Sequence, residues 1–415
     1  MRCCAPCGNG WRRTRREGGP EPPVKLAHIA DPHLGVRQYH RQTPSGINQR
    51  EADVGNAFRA AIDGVIAARP DAVVIAGDLF HSVRPTNSAI VFAFRQFQRL
   101  REALPDAPVV LIAGNHDTPR SAETGTILRL FEELRIDVAA EDARRFTYPA
   151  LDLSVFAVPH QALIGAERPA LRPDGPERNQ VLVIHGEFEG VIMGDRDFAE
   201  YGGAQVTAAD LGAAEWTYVA FGHYHVQRRL AARAWYAGAL DYVSTNVWGE
   251  LREEADHGIR GKGWLLADLA TGEVEAREVG ITRQFIDLPA IEWAAQSAAE
   301  LNAEIAARVA SIDGGLADKV VRLVVHDVPR QVSRELDYTA IRAFKAEALH
   351  FHLDTRRPEV RRETGMGAPG RRRTLPEIVR DYLARRPLPA ELDRERFVAL
   401  GADVMAAVDR ELSGL

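Results

Sequence analysis

Ala72-Val-Val-Ile-Ala-Gly77-Asp78-Leu-Phe-His81 is the stretch on which the reading of this chain turns. A short aliphatic run with no polar interruption reads as a strand buried on both faces, the kind found in parallel sheets. Gly77 lets the backbone turn tightly where that strand ends, and Asp78 is delivered at the turn. The same punctuation recurs along the chain. Lys25–Ala30 runs into Asp31-Pro-His33, Val109–Ala113 into Gly114-Asn115-His116-Asp117, Val181–Ile184 into His185-Gly186, and Tyr218–Phe221 into Gly222-His223-Tyr224-His225. A glycine corner, Tyr236-Ala-Gly238, follows. In open α/β sheets, loops at the carboxyl ends of strands converge on one cleft, so residues from Asp31 to His225 can meet.

Seven of these residues are metal-ligand candidates: Asp31, His33, Asp78, Asn115, His185, His223 and His225. Carboxylate, imidazole and amide oxygen suit manganese, iron or zinc better than calcium or magnesium. Asp78 lies in sequence between two groups of ligands, as a carboxylate shared by two cations would. Two cations about 3.5–4 Å apart clamp a phosphate and activate water for in-line attack, so the pattern is one for cutting phosphate esters. Asp31 and His33 are two apart, as are His223 and His225, and on an extended strand each pair would point the same way. His116, beside a ligand asparagine, is the candidate for protonating the leaving oxygen, with Asp117 expected to orient it. His81 and Tyr224 are candidates for touching substrate, and His160 for lining the cleft. A lone histidine is more often structural than catalytic. Six of the thirteen histidines, however, fall in or beside these motifs, which chance does not supply.

A chain of 415 residues is too long for one core and predicts two or three domains. The net charge of −6 argues against a protein that coats nucleic acid along its whole surface, while leaving room for a local basic groove. Cys3, Cys4 and Cys7 are the chain's three cysteines and all lie in its first seven residues. A disulfide framework is thereby excluded for the rest, and a reducing, cytoplasmic setting is expected. No run is apolar for the length needed to span a bilayer.

Residues 1–23 read as an Arg-rich disordered leader and 24–283 as the catalytic domain. The first three strands alternate with helices marked by Ala57, Ala61, Val65 and Ala68, then by Phe94, Phe97 and Leu100, which predicts parallel pairing with right-handed crossovers. After Ala150 the strands crowd together. A second, more antiparallel sheet is expected there, including Gly263–Leu269 and a hairpin at Thr271-Gly272. Residues 284–355 read as a small α+β capping domain in βαβαβ order. Residues 356–373, with seven arginines against two glutamates, read as an exposed basic linker. Residues 374–415 form two amphipathic helices, the first opened by the capping-box pattern Thr374-Leu-Pro-Glu377.

The motif set resembles the calcineurin-like metallophosphoesterase superfamily over about residues 24–283. Within it, Asp31-x-His33-Leu-Gly35, Gly77-Asp-Leu-Phe-His81 and Pro85 resemble the SbcD-type DNA repair nucleases, which work with an SMC-like coiled-coil ATPase. The resemblance implies a four-layer α/β/β/α sandwich, two manganese ions (iron, zinc or magnesium being alternatives) and phosphodiester hydrolysis on DNA. It places Asp31, His33, Asp78 and His225 around one ion, and Asp78, Asn115, His185 and His223 around the other. It gives His116 the leaving group and matches His81 to a histidine linked to exonuclease action. It also implies a capping domain, docking of residues 374–415 on the ATPase, and a possible homodimer. One departure is Gly238-Ala239, where the family corner reads Gly-Ser. A small-molecule phosphodiesterase or phosphatase on the same core is the competing expectation, and a non-catalytic scaffold ranks last because no ligand is missing.

Overall fold

Strand β1 (Lys25–Ile29) leads through helix α1 (Gln49–Ala68) to β2 (Ala72–Ile75), and α2 (Asn87–Ala103) carries the chain on to β3 (Val109–Ile112) and β4 (Asp137–Ala139). Each pairs with the next in parallel. Local chemistry sets these boundaries. Asn48 caps α1 by accepting from the amides of Arg50 and Glu51, and Arg69 ends it in a left-handed turn just ahead of Pro70. This computed structural model describes residues 23–119, 125–191, 203–259, 261–358, 375–386, 388 and 393–413. The expected leader up to residue 22 and the basic linker from residue 359 lie outside the described residues, as does Thr374 of the capping-box pattern.

The chain continues through β5 (Arg144–Tyr148), β6 (Leu153–Val158), the short helix α3 (His160–Ile164) and β7 (Asn179–His185). A two-residue ladder joins β8 (Glu187–Phe188) to β9 (Gln205–Val206), followed by α4 (Ala208–Leu211) and β10 (Tyr218–Gly222). Then come β11 (Arg228–Ala231), β12 (Ala234–Tyr236), α5 (Val247–Asp256), β13 (Gly263–Asp268) and β14 (Val274–Glu278). Two six-stranded sheets result, ordered β14-β13-β1-β2-β3-β4 and β11-β12-β10-β7-β6-β5.

Two expectations need correcting here. The second sheet is not the more antiparallel one: β12, β10, β7 and β6 run parallel, and only its two edge strands are reversed. And β13 is not part of it. It returns to pair antiparallel with β1 in the first sheet, with β14 as its hairpin partner. Closely spaced strands suggested antiparallel neighbours, but β6 steps to the parallel β7 by way of the short helix α3, and a helix of that length leaves almost no periodic signal.

The strands alternate as the sandwich demands. On β2, Val73 and Ile75 face the helices, where they meet Phe58, Ile62, Phe97 and Phe131. Ala72 and Val74 face the other sheet, where they meet Val155, Val181, Val183 and Ala220. A third cluster, with Trp216, Phe221 and Tyr236, closes the outer face under α3 and α4. The layers are therefore α/β/β/α. Each buried phenylalanine contributes roughly 1.5–3 kcal/mol relative to an exposed one.

Residues 285–355 build β15 (Phe285–Glu292), α6 (Ala298–Ala310), β16 (Val320–His326), α7 (Arg330–Arg334), α8 (Tyr338–Glu347) and β17 (His350–Thr355). The three strands lie parallel in the order β15-β16-β17, over a core of their own that includes Leu301, Ile305, Leu323 and Phe351. Helix α6 begins where Ser297 and Glu300 close a capping box. Two arginines tie this unit to the body: Arg50, paired with Asp53 at 3.3 Å and Asp241 at 2.8 Å, lies over the Phe285 ring, and Arg283 bridges Asp53 at 3.2 Å and Asp318 at 2.8 Å.

Helices α9 (Leu375–Arg385) and α10 (Arg394–Ser413) make a separate unit. Arg394 donates to the carbonyls of Ala384 at 2.6 Å and Arg386 at 3.0 Å, satisfying the end of α9. Among the described residues, no helix is long and apolar enough to cross a membrane.

Candidate metal centre

Strand ends from both sheets meet at one point. Asp31, His33, Asp78 and Asn115 come from loops of the first sheet, and His185, His223 and His225 from the second. Four of the seven hold left-handed backbone: Asp31 at φ 50°, His33 at 46°, Asp78 at 49° and His223 at 102°. Such conformations cost on the order of 1–3 kcal/mol each and persist where surrounding structure imposes them. The extended-strand argument for the two Asp/His and His/His pairs therefore fails in detail. β1 stops at Ile29 and β10 at Gly222, and the ligand atoms converge because the chain turns sharply, not because residues alternate.

The convergence is close. His33 Nε2 lies 3.1 Å from His225 Nε2, and the ligand atoms of Asp31, His33 and His225 all fall within 4.8 Å of one another. Asp31, Asp78 and His185 form a second such group. Asn115 Oδ1 stands 2.9 Å from His185 Nε2 and 3.1 Å from His223 Nδ1. Between the groups sits Asp78. Its Oδ1 accepts the backbone N–H of His116 at 2.8 Å, while Oδ2 lies 3.6 Å from His33 Nε2 and 3.4 Å from His185 Nε2. That Oδ2 is wholly buried and has no hydrogen-bond partner among the described residues. An unpartnered buried carboxylate oxygen aimed between two imidazole groups is what a bridging ligand requires, so the residues fit a pair of divalent cations.

Close packing of backbone holds this geometry. Gly77 has φ 93°, and a Cβ there would strike the imidazole of His185; a Cβ on Gly114 would land on the Asp78 carboxylate. His185 is further fixed by Nδ1 facing the Ala76 carbonyl at 2.8 Å. The backbone N–H of His223 donates to both oxygens of Asp31 at 3.0 Å.

The cluster is short of positive charge. Burial pushes Asp31 up to about 7, against the pull of His185 and His225. Burial would also raise Asp78, but His185, His33 and His116 outweigh it and hold the carboxyl well below its usual range. For His185, burial works downward, yet the negative charge of Asp78 beside it, with that of Asp31, carries it up to about 9. Protons thus take the place that cations would fill.

His81 and His116 stack with ring centroids 5.2 Å apart, and both pack on His33. His81 Nδ1 is 3.3 Å from His33 Nδ1. His116 Nδ1 donates to the His81 carbonyl at 2.9 Å. That carbonyl, and not Asp117, orients the imidazole. Asp117 instead accepts the backbone amides of Leu79 and Phe80 at 3.0 Å and Gly114 at 3.2 Å, pinning the Asp78 loop to the Asn115 loop. Tyr224 has its ring packed in the core 5.4 Å from Tyr236, and its hydroxyl donates to Glu253 on α5.

Sequence reasoning missed the groups behind the ligands. Glu250 on α5 lies 3.5 Å from His225 Nδ1, and buried Lys262 donates to the His225 carbonyl at 3.0 Å while pairing with Glu250 and, at 2.8 Å, with Glu254. A carboxylate behind a metal-binding imidazole fixes its tautomer and raises its basicity. Nothing in the polar run around Glu250 marks it out. Tyr236, at the corner the sequence did flag, accepts from Phe188 N and donates to Gly186 O, both at 2.8 Å, and so clips the His185 loop to the second sheet.

Residues 24–227 match the family described as calcineurin-like phosphoesterase. The chain's relatives include a DNA double-strand break repair protein Mre11 of Sulfurisphaera tokodaii, 30% identical over 211 residues, which are 49% of this chain and 50% of that protein. The protein of the same name from Methanococcus maripaludis is 38% identical over 111 residues, 27% of this chain and 28% of the relative. That of Methanocaldococcus jannaschii is 24% identical over 265 residues, 62% and 65% of the two chains. The chain thus spans about half the length of the first of these relatives.

Proposed function

We propose that the protein is a two-metal phosphodiesterase, manganese being the first choice of ion, that acts as an exo- or endonuclease on DNA in double-strand break repair. The observation that carries the two-metal reading is Asp78 Oδ2, buried and unpartnered between the His33 and His185 imidazoles. Asp31, His33, Asp78 and His225 would hold one ion, and Asp78, Asn115, His185 and His223 the other. The ions would supply Lewis acidity to the phosphate and to the attacking water. The chain supplies the rest. The His81 carbonyl keeps a proton on His116 Nδ1, which leaves Nε2 as the nitrogen that takes up a second proton and, from the imidazolium, delivers it to the leaving oxygen. His81, stacked beside it, borders the cleft.

Support for DNA as substrate comes from what the relatives are called. An SMC-like coiled-coil ATPase is proposed as partner, docking on α9 and α10, where Tyr382, Leu400 and Val404 are exposed apolar side chains. Assembly as a homodimer and a cytoplasmic location belong to the same proposal. The test compares linear double-stranded DNA with cyclic nucleotides, using protein loaded with manganese. DNA should be degraded, and His116→Ala should abolish cleavage with metal still bound. Hydrolysis of cyclic nucleotides with DNA left intact would replace the nuclease by a small-molecule phosphodiesterase.

A further inference from the structure

His160 opens α3 directly after Pro159, and its backbone N–H donates to the carbonyl of Ala113 at 3.0 Å. The residue is thereby fastened to the end of β3, just ahead of the Gly114-Asn115-His116 loop. Its ring meets His185 edge-on with centroids 6.4 Å apart. It borders the same cleft, of about 1420 Å³, as His81, Asn115 and His116. The side chain is only 5% exposed, and Nδ1 is buried with no hydrogen-bond partner among the described residues. A proton on Nδ1 would be a buried donor with nothing to accept it, a costly arrangement. The proton therefore belongs on Nε2, the other ring nitrogen of a residue that lines the cleft.

We propose that His160 is a substrate-positioning residue whose Nε2–H holds a non-bridging oxygen of the phosphodiester on the His185 side of the cleft, across Asp78 from His116. The two histidines then divide the work. One acts at the leaving oxygen, the other fixes the phosphate so that the leaving oxygen arrives there. The proposal rests on the phosphodiesterase reading but not on DNA as the substrate.

The test uses the full chain loaded with manganese, with bis(4-nitrophenyl) phosphate as a small diester and inorganic phosphate as a ligand measured by calorimetry. A hydrogen bond to an anion changes affinity by roughly ten- to a hundredfold. His160→Phe should accordingly raise KM and the phosphate Kd by at least about tenfold, hold kcat within a few-fold and keep the metal stoichiometry. His160→Gln, which retains an N–H donor, should recover most of the loss. Unchanged KM and phosphate affinity in His160→Phe would overturn the assignment. So would loss of metal from either variant, which would make His160 a packing support for His185. A wild-type protein that hydrolyses no phosphodiester sinks the activity reading, while the phosphate titration still decides His160 separately.

Discussion

Replacing His28 by glutamine should change how the protein tolerates acid. His28 sits on β1 with no exposed surface, its Nδ1 3.1 Å from the Tyr218 hydroxyl and its Nε2 3.2 Å from the Phe221 carbonyl, both on β10 of the facing sheet. Burial drives its pKa down to about 3, with the Phe221 carbonyl opposing, so the native ring stays neutral where the unfolded one, near 6.5, is charged. The sign follows from which state takes the proton. Above pH 6.5 both states hold a neutral ring and the stability due to its burial is fully present. Between 6.5 and 3 the unfolded state alone binds a proton, so that stability is lost as pH falls. The slope is about 1.4 kcal/mol per pH unit, and the whole shift corresponds to roughly 4–5 kcal/mol. Glutamine keeps polar contacts but does not titrate. His160 and His350, both lowered to about 4 by burial, contribute slopes of their own, so the diagnostic quantity is the difference between wild type and His28→Gln. Urea unfolding at pH 7.0 and pH 4.5 should show the wild type losing about 3 kcal/mol relative to the variant over that interval. A gap that stays constant across that range would mean that His28 is not held neutral, and the account of the joint between the sheets would fail.

Glu250→Gln should weaken binding of the ion held by His33 and His225 by roughly ten- to a hundredfold, since Lys262 keeps Glu254 as a partner and the fold survives; a competition titration giving wild-type affinity would refute the positioning role. Gly114→Ala should cost at least about a hundredfold in phosphodiester hydrolysis and reduce bound metal, because the new methyl group takes the space of the Asp78 carboxylate. Wild-type turnover with an unchanged circular dichroism spectrum would show that the loop yields more easily than the packing implies.

Much of the site was readable because its residues follow strands that announce themselves. Ala72–Ile75 and Val109–Ile112 are entirely apolar, and what comes next has to lie at a sheet end. Other features had no local sign. The left-handed turns at Asp31, His33 and His223 are not written in residue type, since aspartate and histidine tolerate such backbone better than most side chains but adopt it only in a minority of cases. The course of β13 back to β1 depends on a pairing between residues some 240 positions apart, such as Lys25 with Asp268, and no window of sequence contains it. Glu250 and Lys262 belong to no motif, and it is the enclosure around them that gives them work at His225. Asp117 was read by proximity as a partner for His116, but three backbone amides compete for a buried carboxylate more effectively than one imidazole.

The ligand set is drawn from two separate sheets whose shared face is otherwise greasy and non-directional. An ion gripped from both sides would act as a clasp on that seam, and its binding energy would enter the folding equilibrium along with the chemistry. Scarcity of the ion would then thin the population of folded molecules as well as idle the ones that remain.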